Sequence, residues 1–180
     1  MKQSIQPARD LETRVKDSHH RALKLWLRLL SCTTRVEGTI RSRLRRDFAT
    51  TLPRFDLLAQ LEREPEGLTM GELSQRLMVS GANVTGITDQ LEREGLVRRA
   101  AHPGDRRAFA VQLTPNGRRQ FQRMATVHEQ WVAELFSGWD AKQQMQMYGL
   151  LADLKHHLDT VSGRDDKRNK RRDKAKEHAA

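Results

Sequence analysis

The sequence predicts a mainly α-helical fold with one small β-hairpin, on three observations. Apolar residues recur at helical spacing through most of 17–161. Thr51, Thr69, Ser80, Thr114 and Asp140 stand where helices should begin, each a residue type whose side chain can accept from a first-turn N–H. Two strand-like runs, Leu96–Arg99 and Ala108–Leu113, flank a tip containing Pro103-Gly104.

Residues 1–16 mix Pro7 and charges with few apolar groups, and are expected to form an arm without regular structure. From Asp17 to about Phe48 the pattern is one long helix, with Leu23, Leu27 and Leu30 on one side, Trp26 beside them and a kink expected near Gly38. Its second half carries Arg35, Arg41, Arg43, Arg45 and Arg46, either a solvated face or an anion-binding patch. Thr51-Leu52-Pro53 then opens a second helix, with Thr51 as N-cap and Pro53 in the first turn, where its missing N–H costs nothing. That helix should run to about Arg63 with Phe55, Leu58 and Leu61 inward, and Pro65-Glu66-Gly67 should end it.

The stretch 69–114 carries the densest signals. Thr69-Met70-Gly71-Glu72 has the spacing of a capping box, in which the Thr hydroxyl and the Glu carboxylate each accept from the other's backbone N–H. Leu73 and Leu77 share a face of the helix it starts, and Met78–Gly81 supplies a short turn with Ser80 as the next N-cap. A second helix follows to about Glu94. Val84, Ile87 and Leu91 form its inner stripe, which turns Ala82, Asn83, Thr85, Gly86, Asp89 and Gln90 outward. Gly95 should stop it in the left-handed conformation. The strand-like runs come next, and from Arg98 to Arg123 seven arginines face a single acid, Asp105, so the region can approach phosphates.

After the hairpin, Thr114-Pro115 opens a long helix carrying Phe121, Met124, Val127, Trp131 and Leu135. Ser137-Gly138 breaks it, and Asp140 with Gln143 caps a last helix bearing Tyr148, Leu151, Leu154, Leu158 and Val161. From Gly163 onward there are eight basic and four acidic residues and no large apolar side chain, so 163–180 is expected to be a disordered basic tail.

A chain of 180 residues with 37% hydrophobic content suits one domain with tails, part of whose apolar surface is intermolecular. The formal net charge of +10 favours polyanions, nucleic acid first and anionic membrane second. No apolar run approaches the roughly 20 residues of a membrane span, and 1–16 lacks the apolar core of a secretory signal, so no membrane partner and a cytoplasmic location are expected. One cysteine excludes an internal disulfide and a cysteine-based zinc site. His19-His20 and His156-His157 are adjacent pairs that point about 100° apart on a helix, so no metal site is expected. No nucleophile–base motif, phosphate loop or paired-carboxylate signature appears, so neither catalysis nor a cofactor is expected. Cys32, in Leu29-Leu30-Ser31-Cys32, is expected to be a buried inert thiol.

Leu-Thr-Met-Gly-Glu-Leu, Val-Thr-Gly-Ile-Thr-Asp-Gln-Leu-Glu-Arg-Glu-Gly-Leu-Val, Asp-Arg-Arg and Leu-Thr-Pro-Asn-Gly-Arg, in that order, resemble the multiple-antibiotic-resistance regulator (MarR) family over roughly Ser18 to Val161. The resemblance implies a winged helix-turn-helix in a homodimer, with a reading head and wing at about 51–114 and dimerisation helices at about 17–48 and 114–161 within a domain at 17–162. It also implies double-stranded DNA with a palindromic operator as partner. Ser80, Asn83, Thr85, Gly86 and Gln90 would lie on the DNA, with Arg106 in the minor groove positioned by Asp105 or Arg107. Gly86 departs from the family, where arginine is common at that point. The family usually holds a small molecule beside the dimerisation helices, which makes His19, Trp26, Arg41, Phe55 and Trp131 the ligand candidates; aromatics at helical spacing are otherwise core. The Val-Ser-Gly-Ala-Asn-Val-Thr stretch looks like the branch that regulates aromatic-acid catabolism, which implies a repressor released by an aromatic carboxylate or its CoA thioester. The alternative is a nonspecific architectural DNA-binding protein, favoured by the basic termini.

Overall fold

Four of the five capping residues picked out above, Thr69, Ser80, Thr114 and Asp140, cap helices with their side chains. A computed structural model describes residues 20–102 and 105–177, with side chains described over 20–101 and 109–161. In chain order the elements are α1 (Arg21–Phe48), α2 (Leu52–Glu62), β1 (Leu68–Thr69), α3 (Met70–Leu77), α4 (Gly81–Arg93), β2 (Val97–His102), β3 (Asp105–Leu113), α5 (Pro115–Leu135) and α6 (Ala141–Glu177). They fall into two compact units, one ending at Trp131 and the other beginning at Val132.

The first unit is built around α2. Phe55, Leu58 and Leu61 are buried as their spacing requires, and so is Leu57, which the single-stripe reading left out. α2 packs against α1, α3, α4 and β3, so its buried sector is wider than that of an amphipathic surface helix. Thr51 precedes α2 in an extended conformation, but its side chain makes no cap hydrogen bond. α1 is one continuous helix through Gly38, and the αL residue Ala49 ends it.

The sheet has order β1-β3-β2, antiparallel throughout. β2 pairs with β3 from Val97↔Leu113 to Ala101↔Phe109, and an irregularity at Ala101/His102 precedes the last pair, His102↔Asp105. The third strand, β1, was not foreseen; it pairs Leu68 with Val111 and Thr69 with Ala110. Two residues are too few for alternation to register.

Thr114 explains the Leu-Thr-Pro-Asn-Gly motif. Its hydroxyl oxygen accepts from the Gly117 N–H at 3.0 Å and donates to the Gly95 carbonyl at 2.7 Å, while its own N–H donates to the Leu96 carbonyl at 3.0 Å. Gly117 packs so closely there that a Cβ would stand 1.9 Å from the Leu96 carbonyl oxygen, so only glycine fits.

In the second unit Asp140 and Gln143 form the expected reciprocal cap, Gln143 N–H to Oδ1 at 2.8 Å and Asp140 N–H to Oε1 at 3.0 Å. α6 then runs without interruption to Glu177. The expectation of disorder from Gly163 is therefore corrected for 163–177. Lacking apolar side chains removes packing, but a helix satisfies its backbone internally, and Lys, Arg, Ala and Glu are good helix formers. Residues 178–180, like 1–16, lie outside the described residues.

Candidate nucleic-acid interface

The reading head is fixed by local chemistry. The Thr69–Glu72 capping box forms, with Thr69 N–H to Glu72 Oε2 at 2.8 Å and Glu72 N–H to Thr69 Oγ1 at 3.3 Å. α3 ends at Met78, an αL residue with φ 54° whose N–H reaches the carbonyls of Gln75 and Ser74. Ser74 Oγ donates to the Val79 carbonyl at 2.6 Å and ties the turn shut. Ser80 then caps α4, its Oγ accepting from the Asn83 N–H at 3.4 Å.

α4 shows two unlike sides. Val84, Thr88 and Leu91 are fully buried, whereas Ile87, expected on that stripe, is only half-buried. The inner face thus runs at i, i+4, i+7, with a threonine in its middle whose Oγ1 has no hydrogen-bond partner among the described residues. Ser80, Asn83, Thr85, Gly86 and Gln90 are all exposed. Thr85 Oγ1 donates to the Gly81 carbonyl at 2.9 Å, and a Cβ built on Gly86 would meet nothing within 4 Å. Exposed Gly81, Ala82 and Asn83 leave the positive end of the helix open to an anion.

Ion pairs hold α4 in place. Arg54 of α2, mostly buried, binds Glu94 at the helix's C-cap. Arg99 of β2 binds Asp89 at 2.5 Å and Glu92, and the Glu92 carboxylate also accepts the Arg99 N–H at 3.2 Å. The hydrogen bond to Asp89 raises the Arg99 pKa, with the charges of Glu92 and Asp89 adding to it. Arg118 binds Glu62 at 2.7 Å. Two of the seven arginines read as phosphate-seeking are therefore engaged with carboxylates of the same chain; no local pattern signals partners 7 to 56 residues away. Gly95, with φ +68°, turns the chain from α4 into the hairpin as its position implies.

Asp105, Arg106 and Arg107 are the first residues of β3, next to the hairpin tip. Their side chains, and residues 103–104, lie outside the described residues.

The ligand candidates occupy different surroundings. His19 lies outside the described residues. Trp26 is 57% exposed on α1, and Arg41, also on α1, is exposed and paired with Glu37. Phe55 is buried against Phe121 and His128, with ring centroids at 5.5 and 4.8 Å. Trp131 is buried against Phe48 at 6.0 Å, with the Arg43 guanidinium over its ring. Burial pushes the His128 imidazole below the ordinary histidine range, in keeping with its place beside the apolar stripe of α5. Cys32 is exposed, contrary to the expectation of burial, because its leucine-rich neighbourhood is itself exposed, Leu30 included. Among the described residues no helix is long and apolar enough to cross a membrane.

A capped two-helix reading head followed by an antiparallel hairpin defines a winged helix-turn-helix. Residues 50–108 match the family model described as MarR family. The chain is similar to the HTH-type transcriptional regulator PecS of Dickeya dadantii, 29% identical over 106 residues, which are 58% of this chain and 64% of that one. The chain thus spans slightly under two thirds of that relative. A MarR family transcriptional regulator from Silicibacter pomeroyi superposes with a TM-score of 0.68 at 28% identity, over 80% of this chain and 99% of that chain. Sco3205 of Streptomyces coelicolor, a MarR family regulator in complex with DNA, shares the fold with a TM-score of 0.68 at 24% identity, over 80% of this chain and 91% of that chain.

Proposed function

We propose that the chain is a sequence-specific, DNA-binding transcription regulator that acts as a homodimer on a palindromic operator. The observation that carries this is α4 itself. Its inner side is locked into the core through Val84, Thr88 and Leu91, while Asn83, Thr85, Gly86 and Gln90 are left exposed on a helix with an open positive end. Small and polar groups on a rigid helix suit base edges in a major groove. The hairpin brings Arg106 next to its tip, where a cation can enter the adjacent minor groove.

The homodimer is supported by apolar surface that each unit leaves uncovered. α1 exposes Leu23, Leu25, Trp26 and Leu30, and α6 exposes Met145, Tyr148, Leu150, Leu151 and Leu158. So many large apolar side chains left uncovered along single helices call for a partner, and a second copy is the one we assign to them. Two copies also present two reading heads to a two-fold DNA site.

We further propose a repressor released by an aromatic carboxylate or its CoA thioester, a reading that rests on the family branch and on α1, where an exposed Trp26 shares a helix with Arg35, Arg41 and Arg45. A cytoplasmic location goes with this role. Footprinting on the promoter of the chain's own gene tests the central statement. Protection of one palindrome is the expected result, whereas uniform protection of any duplex would replace it by the architectural reading that the net charge of +10 favours.

A further inference from the structure

We infer that α6, between Arg164 and Lys174, is a sequence-independent phosphate-binding strip for duplex DNA, formed because the helix gathers basic positions on one face and acidic positions on the opposite one. The inference rests on the DNA-binding reading above and adds a second set of phosphate contacts to it.

The helix continues to Glu177, so each residue of this stretch is rotated by about 100° from the one before. Arg164, Lys167, Arg168, Arg171 and Lys174 then fall within a sector of roughly 120°, whereas Asp166, Asp173 and Glu177 fall within a sector of roughly 40° on the far side. Asp165, Lys170, Arg172 and Lys176 lie on the flanks between the two. In an irregular chain the same charges would mix along the backbone. Helical geometry separates them.

The five basic positions extend over about 15 Å at about 1.5 Å per residue. Each strand of duplex DNA carries about one negative charge per 3.4 Å, a density that such a strip can match along one backbone over its whole length. Between Ser162 and Glu177 there is no large apolar residue. A protein groove is filled by apolar anchors, which this stretch does not have, while a phosphate backbone needs none; of the anionic surfaces open to such a strip, duplex DNA is the one that the reading head already addresses. The acidic stripe opposite orients the strip, since rotating the helix by half a turn would bring carboxylates to the phosphates.

The test compares three full-length proteins by fluorescence anisotropy on the footprinted operator duplex and on a scrambled duplex of the same length, between roughly 0.05 and 0.2 M salt. One is the wild type. The second replaces Arg164, Lys167, Arg168, Arg171 and Lys174 by Gln. The third carries Asp166→Lys, Lys167→Asp, Asp173→Lys and Lys174→Asp, which keeps the net charge but destroys the segregation. Circular dichroism establishes that all three are equally helical. The expected result is a shallower slope of log affinity against log salt in both variants, on both duplexes. The slope should fall by about 0.9 for each phosphate left without its cation, up to roughly 4 per protomer. A Gln variant with the wild-type slope overturns the strip, and so does a swapped variant that keeps that slope, which would leave bulk charge alone. The regulator reading fails separately, by equal wild-type affinity for operator and scrambled duplex, and the slope comparison still stands on either duplex.

Discussion

Arg99 on β2 donates from Nη2 to Oδ1 of Asp89 on α4 at 2.5 Å, while its Nη1 binds Glu92 one turn further along the same helix. The base of the wing is thereby pinned to the reading helix by one guanidinium and two carboxylates. Since the group is about one third exposed, solvent discounts the pair, and Arg99→Ala should cost about 1 kcal/mol of unfolding free energy. It should also weaken operator binding if, as proposed, wing and α4 meet adjacent grooves together. A double-mutant cycle with Asp89→Asn in urea denaturation measures the link, and zero coupling between the two sites would show that the pair holds nothing.

Thr88 is fully buried in α4, yet its hydroxyl has no hydrogen-bond partner among the described residues. An unsatisfied buried hydroxyl is unfavourable, and valine has nearly the same shape and is also β-branched. Thr88→Val should therefore stabilise the fold by about 1 kcal/mol. Denaturant midpoints at constant slope would check it. A loss of stability would mean that the hydroxyl is satisfied after all, for instance by a buried water.

Thr88 also marks where sequence stopped being readable. Caps were legible because Thr69–Glu72, Ser80 and Asp140–Gln143 interact within four residues, and those hydrogen bonds formed as their spacing required. The inner face of α4 was misplaced by one residue, since Ile87 is the more apolar but Thr88 is the one turned inward. Leu57 and the two-residue strand β1 were missed because their burial and pairing depend on elements far away in sequence. Arg99 was misread for the same reason, as its carboxylate partners sit on a different element. Composition misjudged 163–177 in another way, by treating the want of a core as the want of a helix. The outward set on α4 was foreseen and is exposed except for Asp89, which is half-buried and paired with Arg99, whereas what the exposed residues touch is a proposal.

His128 gives the fold a pH dependence whose sign follows from burial. Its pKa in the folded chain lies below that of the unfolded chain, where the ordinary value is about 6.5. Above that value both states are neutral and the stability is fully present. As pH falls from there toward the folded pKa, the unfolded chain takes up a proton that the folded one resists, and stability drops. His128→Gln should flatten the fall in unfolding free energy as pH drops below the ordinary histidine value, relative to the wild type. Asp56, raised by burial and by Glu37, acts in the opposite direction and in a lower window, losing stability as pH rises above the ordinary aspartate range. An unchanged slope in the His128→Gln variant would assign the dependence to other groups.

Arg106 is the wing residue proposed to enter a minor groove. Arg106→Ala should weaken operator binding by roughly 1–3 kcal/mol, since a narrow groove concentrates negative potential on an inserted cation. The fold should survive, because β3 keeps its pairing with β1 and β2 further along, between Leu68 and Val111 and between Val97 and Leu113. Operator affinity equal to wild type at matched salt would remove Arg106 from the interface.

Gly86 separates what the fold wants from what the DNA wants. A glycine inside an exposed helix costs about 1 kcal/mol relative to alanine. Among the described residues nothing repays that cost, as a Cβ at 86 would meet no atom of theirs within 4 Å. Gly86→Ala should therefore raise the unfolding free energy by up to about 1 kcal/mol. If the backbone of α4 comes close to the duplex at this point, the same methyl group should lower operator affinity, and larger side chains should lower it more. Thermal unfolding and operator titration on the same variant read the two effects separately. A variant that is more stable and binds the operator as tightly as before would show that residue 86 is not at the DNA surface, and would shift the reading face toward Asn83 and Gln90.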